Sequence, residues 1–196
     1  MGLSLYILLC LVLEVSGNLH HLFTSSYRSP ALFALEYNSD TNALTQVASF
    51  NAHAGHPWMS LSFNKKTLYA AERDGWSSYH VLGPREIAFQ SNLTLRGRCD
   101  GADFKHGTTN VLAGQRAPYS IYGAGRSPCG NVIGSGVDGS FDRLVQNVTY
   151  KADSRIYGMA HDPSGNYIYS ADTSSNGLWT HKVDPVTGQL TAARRA

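Results

Sequence analysis

Apolar and polar positions alternate in short runs along this chain, and polar turns break the runs at regular intervals. Around residues 158–190 an apolar run stops at Asp162-Pro163-Ser164-Gly165 and Tyr167-Ile168-Tyr169 follows. After a polar gap come Leu178-Trp179-Thr180-His181 and a second turn, Asp184-Pro185-Val186-Thr187-Gly188. Aromatic and β-branched runs of this length predict strands, and clusters of Asp, Pro, Ser and Gly predict tight turns. After residue 17 no stretch holds a helical period over about eleven residues.

The pattern recurs. Leu32-Phe33 and the later Thr41-Asn42-Ala43-Leu44-Thr45 match Leu178-Trp179 and Thr187-Gly188-Gln189-Leu190-Thr191 in register, about 146 positions on. A weaker echo, Val137-Asp138-Gly139-Ser140-Phe141, lies between them. Leu68-Tyr69-Ala70-Ala71 matches Ile168-Tyr169-Ser170-Ala171, and each follows a polar turn. The separation is about three units of 40–50 residues, the length of one propeller blade. The chain therefore reads as all-β, a β-propeller of four-stranded blades. A β-sandwich has similar strand spacing; the long-range register of two separate motifs favours the propeller. The innermost strands are expected near Trp58 to Phe63, Tyr119 to Gly123 and Ile156 to His161, with function at their channel-facing ends.

Composition narrows the classes. A net charge of +2 with 15% charged residues, and no basic cluster, argues against nucleic acid as partner. The apolar stretch Leu3 to Val15, followed by Ser16-Gly17, reads as a signal peptide over residues 1–17, too short to span a bilayer. The alternative is a buried first strand. With the signal, the protein is secreted, to the extracellular space or cell wall, with no membrane association after cleavage, and the mature domain is 18–196. Cys10 leaves with the leader, so Cys99 and Cys129 are either one disulfide or two free thiols. Asn92-Leu93-Thr94 and Asn147-Val148-Thr149 are sequons, although chance supplies about two at this composition.

Specific stretches resemble a known family. They are Leu19-His20-His21-Leu22, Trp58-Met59, Leu68-Tyr69-Ala70-Ala71 with Trp76-Ser77-Ser78-Tyr79, and Ala117-Pro118-Tyr119-Ser120-Ile121-Tyr122. Gly130-Asn131-Val132, Val145-Gln146-Asn147-Val148 and the run from Ile156 to His181 complete the set. Together they are similar to the fungal carboxy-cis,cis-muconate cyclases (3-carboxymuconate lactonizing enzymes), lactonase-type seven-bladed propellers. A seven-bladed ring needs about 350 residues. The mature chain has room for about four blades, so the expectation is an N-terminal portion, with further blades or a partner needed to close the ring.

The resemblance implies an isomerase that adds a carboxylate across a double bond of a small acidic substrate, forming a lactone without a cofactor. Such a step needs cations for the carboxylates and an acid that protonates carbon. The family's catalytic His position is held by Tyr157, and the family's arginines and glutamate belong to later blades. Phenolic hydroxyls titrate near pKa 10, about three units above neutral, so lost or altered cyclase activity is expected. The rival reading is a non-catalytic secreted or cell-wall glycoprotein that uses the propeller as a binding surface.

Arg155 is the expected carboxylate-binding cation, two places from Tyr157 and so on the same face of a strand. His21 is a further substrate-binding candidate. His53-Ala54-Gly55-His56 lacks a nearby carboxylate in sequence and reads as a turn with exposed imidazoles, not a metal site. Glu72-Arg73-Asp74 reads as a solvated strand end. Trp76 and Trp179 are expected to pack blade against blade. Gly134-Ser135-Gly136 has no serine-hydrolase elbow around it, and no glycine-rich nucleotide motif opens a helix.

Overall fold

The computed structural model describes residues 18–94, 107–125 and 127–196. The leader over residues 1–17, Cys10 and Cys99 lie outside the described residues. Among those described there are strands and turns but no helix.

β1 (Leu19–Ser25), β2 (Ala31–Asn38) and β3 (Ala43–Asn51) form a three-stranded sheet in that order. The second sheet runs β4 (Met59–Leu61), β5 (Thr67–Glu72), β6 (Gly75–Gly83) and β7 (Glu86–Thr94). The third runs β8 (Thr108–Ala113), β9 (Ile121–Gly125), β10 (Cys129–Ser135) and β11 (Phe141–Thr149). The fourth runs β12 (Ile156–His161), β13 (Tyr167–Asp172), β14 (Gly177–Val183) and β15 (Leu190–Arg195). Every neighbouring pair is antiparallel, as in the pair β5 and β6. β8 lies against both β4 and β12, so the first strands gather on one side. The architecture is part of a β-propeller.

The turns repeat as the strands do. Between first and second strands, a residue with positive φ stands two places before the second strand: Lys65 (60°), Tyr119 (57°) and Gly165 (68°). Between third and fourth strands the left-handed positions are Asn42 (53°), Gly139 (83°) and Gly188 (72°). Leu32-Phe33 lies in β2, and its echo Leu178-Trp179 lies in β14, a third strand. The first sheet therefore begins at the second-strand place. A groove of about 410 Å³ lies between β1 and β4, lined by His21 to Ser25 on one side and Pro57 to Leu61 on the other.

Three apolar cores fill the three joints between sheets. Leu32, Leu68, Ala70 and Tyr79 pack the first sheet on the second. Tyr69, Ala71, Trp76, Val111, Ile121 and Ile133 join the second to the third. Tyr122, Val132, Tyr150, Ile156, Met159 and Ile168 join the third to the fourth. Because successive side chains point to opposite faces, Leu68 and Ala70 serve one joint and Tyr69 and Ala71 the next. All six residues of β5 are buried, whereas β13, with the same motif, alternates exposed and buried. Among the described residues, only one face of the fourth sheet is covered.

One strand assignment is corrected. Tyr119 to Gly123 is not an innermost strand: β8 is the first strand of its sheet, and Ile121 to Gly125 is the second. Thr108–Ala113 has no aromatic residue and little alternation, while Ile121-Tyr122 has the stronger local strand signal. The Arg116–Pro118 turn joins β8 to β9 and does not enter the sheet. Met59–Leu61 and Ile156–His161 are first strands as expected.

Candidate functional site

The turns between second and third strands and the loops entering each sheet share one end of the structure. Two buried acids close the second strands there. Glu72 ends β5 and Asp172 ends β13, at matching places in Tyr69-Ala70-Ala71-Glu72 and Tyr169-Ser170-Ala171-Asp172.

Asp172 is fully used as a strut. It accepts hydrogen bonds from the Arg155 amide (3.0 Å), Trp179 Nε1 (3.1 Å) and the Ser175 hydroxyl. Burial pushes its carboxyl upward, but bonds from Ser175, the Arg155 amide and Trp179, with the Ser154 hydroxyl nearby, hold it well below the usual carboxylate range. The strut fixes the segment that carries Arg155 and Tyr157.

Glu72 has a different set of partners. Ser77 Oγ donates to its Oε2 (2.8 Å), and His53 Nδ1 lies 3.6 Å from the same oxygen. The His53 imidazole is 38% exposed and stacks on Phe89, with ring centroids 4.9 Å apart. A solvent-facing imidazole backed by a buried carboxylate is a geometry suited to proton transfer. The expectation of a solvated strand end at Glu72 is corrected: the side chain is buried beneath the loop from the first sheet.

The expectation of two exposed imidazoles is corrected as well. His56 is 1% exposed. Its Nδ1 lies 3.0 Å from the Ala71 carbonyl and its Nε2 2.6 Å from the Tyr79 hydroxyl. A carbonyl only accepts, so the proton sits on Nδ1 and Tyr79 donates to Nε2. Burial holds the His56 pKa below its ordinary value. His56 is a packing element, and His53 alone of the pair faces solvent. Sequence reasoning missed the His53–Glu72 pair; the match of Glu72 to Asp172 was the available signal. Among the described residues no group of three or more His, Cys, Asp or Glu is placed to hold a metal ion.

Arg155 and Tyr157 are both exposed at the start of β12. Tyr157 is the extra residue of a β-bulge, because Ile156 pairs with Asp172 and Gly158 with Ala171. Simple alternation is interrupted there, and a bulge re-aims its side chain. Thr109 is the extra residue at the same place in β8, and its hydroxyl donates to the Ile156 carbonyl at 2.9 Å. The structure thus keeps Arg155 and Tyr157 on one short segment, beside Thr109.

His21 lies elsewhere. The far end of its strand, Ser25, donates to the His56 carbonyl (2.7 Å) at the end of the acids. His21 sits toward the opposite end, with Nδ1 3.4 Å from Glu36 Oε1. Glu36 also accepts two bonds from Arg85, each 2.7 Å, which tie the first sheet to the second. The Arg85 guanidinium holds the Glu36 carboxyl below its ordinary range.

Asn92 and Asn147 are exposed on β7 and β11, the fourth strands of their sheets. Cys129 is buried and disulfide-bonded, with its proposed partner Cys99 outside the described residues. Trp76 packs between sheets as expected, its ring against Gly123 of the third sheet.

No family model matches the chain. Over 175 residues it is 31% identical to the carboxy-cis,cis-muconate cyclase of Neurospora crassa, covering 84% of this chain and 47% of that enzyme. Over 201 residues it is 27% identical to muconate cycloisomerase 1 of Cutaneotrichosporon cutaneum, covering 93% and 52%. The chain spans about half the length of these relatives. A periplasmic gluconolactonase of Pseudomonas aeruginosa superposes with a TM-score of 0.65 at 14% identity, covering 86% of this chain and 51% of that one. At that identity the likeness is one of fold alone.

Proposed function

The chain is a homologue of carboxy-cis,cis-muconate cyclase on a lactonase-type propeller fold, and from that premise we propose that it binds a small carboxylated organic acid and that its lactonising activity is lost or altered. The reaction needs no cofactor. A substrate carboxylate oxygen forms the new bond to one alkene carbon, and the neighbouring carbon takes a proton, so atoms balance without a co-reactant. Arg155 supplies a cation for a carboxylate. The observation that carries the reading is Tyr157, exposed on its bulge beside Arg155 at the place where the family resemblance puts a histidine. A phenol shuttles protons poorly near neutral pH.

The test is lactone formation from 3-carboxy-cis,cis-muconate, followed by loss of the diene absorbance. Turnover by the chain as it stands is expected to be absent or slow, and Tyr157→His to raise it. Fast turnover that Tyr157→Phe leaves unchanged would sink the altered-activity reading.

A second reading, a secreted glycoprotein that binds through its propeller surface, is favoured by the exposure of both sequon asparagines on fourth strands. Mass spectrometry of the protein secreted from a eukaryotic host tests it; unmodified Asn92 and Asn147 count against it. Either reading includes completion of the ring by further blades or a partner chain. The uncovered face of the fourth sheet, with Tyr167 and Tyr169 each 37% exposed, and the groove beside β1 support that part.

A further inference from the structure

At the opposite end from the buried acids, clefts open between neighbouring sheets where the first turns meet the third turns. The cleft between the third and fourth sheets, about 230 Å³, is strapped shut at its mouth. Arg116 Nη1 donates to the Ser164 carbonyl (3.1 Å) and to Asn166 Oδ1 (2.6 Å) across it. The matching cleft between the second and third sheets is crossed by the Tyr69–Gly139 hydrogen bond (2.9 Å) but has no arginine strap among its lining residues, and it measures about 540 Å³, within the range of small-molecule sites.

Its wall is aromatic and uncharged. Phe63 and Tyr119 stack with ring centroids 5.4 Å apart and planes 26° apart. Both are exposed, as is Val137 beside them, and none belongs to an apolar core. None of the twelve lining residues carries a charge. The polar groups of the wall are already paired. Ser135 Oγ donates to the Tyr119 carbonyl (3.1 Å), Ser62 Oγ to Asn64 Oδ1 (2.8 Å), and the Tyr69 hydroxyl to the Gly139 carbonyl (2.9 Å). A charged ligand would lose its hydration here without a counter-charge.

The backbone adds an independent observation. Tyr119 adopts φ 57° at the turn position where the second sheet has Lys65 at 60° and the fourth has Gly165 at 68°. A bulky side chain is disfavoured in the left-handed region. The turn holds an aromatic ring at the cleft where glycine would fit the backbone without strain.

We propose that this cleft binds a small, uncharged, planar aromatic molecule, a simple phenol, whose ring extends the Phe63–Tyr119 stack. The site is separate from the Arg155–Tyr157 segment and takes the opposite kind of ligand. Offset stacking supplies the contact, and the ligand hydroxyl stays toward solvent at the open mouth of the cleft.

The test titrates the whole chain with 4-methylphenol and, separately, with 4-methylbenzoate, followed by amide chemical shifts. The phenol is expected to shift the amides of Phe63, Gly114, Tyr119 and Val137 saturably, and the benzoate to bind at least about tenfold more weakly. Phe63→Ala and Tyr119→Gly should each weaken phenol binding about tenfold, with the amide spectrum of the apolar cores unchanged. Tyr119→Gly suits the local φ, and Phe63→Ala alters an exposed side chain; if one variant misfolds, the other decides. Equal affinity for the two ligands, shifts confined to other regions, no saturable shift at millimolar phenol, or full affinity in Phe63→Ala would each overturn the proposal.

Discussion

Tyr69 donates its hydroxyl hydrogen to the carbonyl oxygen of Gly139, 2.9 Å away in the next sheet. Tyr122 makes the same bond to Gly188 at 3.1 Å. In each case the glycine has positive φ, and a Cβ on it would come within 2.0 Å of a hydroxyl, Thr67 Oγ1 for Gly139 and Ser120 Oγ for Gly188. Burial pushes both tyrosines up to about 12, so they remain donors across the ordinary pH range. The joint between the first and second sheets uses a different link, the Arg85–Glu36 ion pair.

Tyr69→Phe should destabilise the protein by about 1 kcal/mol, the net worth of a typical hydrogen bond. Gly139→Ala should cost more, about 2–4 kcal/mol, through left-handed strain and overpacking on Thr67. Thr67→Ala in the Gly139→Ala background should recover part of the loss. Urea denaturation of wild type, Thr67→Ala, Gly139→Ala and the double variant measures this, and additive effects would show that no contact exists between 67 and 139.

Gly123 has no side chain because Trp76 occupies the space: a Cβ there would lie 2.1 Å from the indole Cζ2. Gly123→Ala should therefore destabilise by about 3 kcal/mol as an overpacking change. A thermal melt within 1–2 °C of wild type would mean the indole has room to move.

His181 is 1% exposed and lies against Tyr150 and Trp179. Burial lowers its pKa from 6.5 to about 4. The unfolded chain thus takes a proton near pH 6.5 that the folded chain refuses until about pH 4. Stability contributed by this group is unaffected above pH 6.5 and falls as pH drops through that window, by about 3 kcal/mol in all. His181→Phe should flatten the acid limb of a stability-versus-pH curve. His56 and His161 are also lowered by burial, so a slope should remain. An unchanged limb in the variant would exclude His181 as a contributor.

Arg155→Ala should weaken binding of a tricarboxylate about 10–100-fold, with Arg155→Lys intermediate because lysine lacks the bidentate fork. The exposed position predicts an unchanged circular-dichroism spectrum. Calorimetric titration decides, and equal affinity in the alanine variant would remove Arg155 from the site.

Much of the architecture was legible in the sequence because the signals are local. Leu68-Tyr69-Ala70-Ala71 and Ile168-Tyr169-Ser170-Ala171 both proved to be second strands. The turn echo running from Asn42 through Gly139 to Gly188 proved to be one left-handed position repeated. The candidate site was less legible. Arg155 and Tyr157 share a segment, but the bulge at Tyr157 follows from pairing with β13, which no short window reveals. Thr108–Ala113 went unread as a first strand because its place depends on β4 and β12 on either side.

By itself, the sequence determined that the chain is built of strands, where its turns fall and that the unit repeats, since side-chain period and left-handed turn residues are properties of a few neighbouring positions. Only the tertiary structure decided which faces are covered. One motif is buried on both sides in β5 and on one side in β13. Glu72 and Asp172 match in sequence, yet one backs an exposed imidazole and the other is spent on backbone and indole bonds. Burial and pairing depend on what the neighbouring sheet brings to the contact, and that neighbour is tens of residues away in the chain.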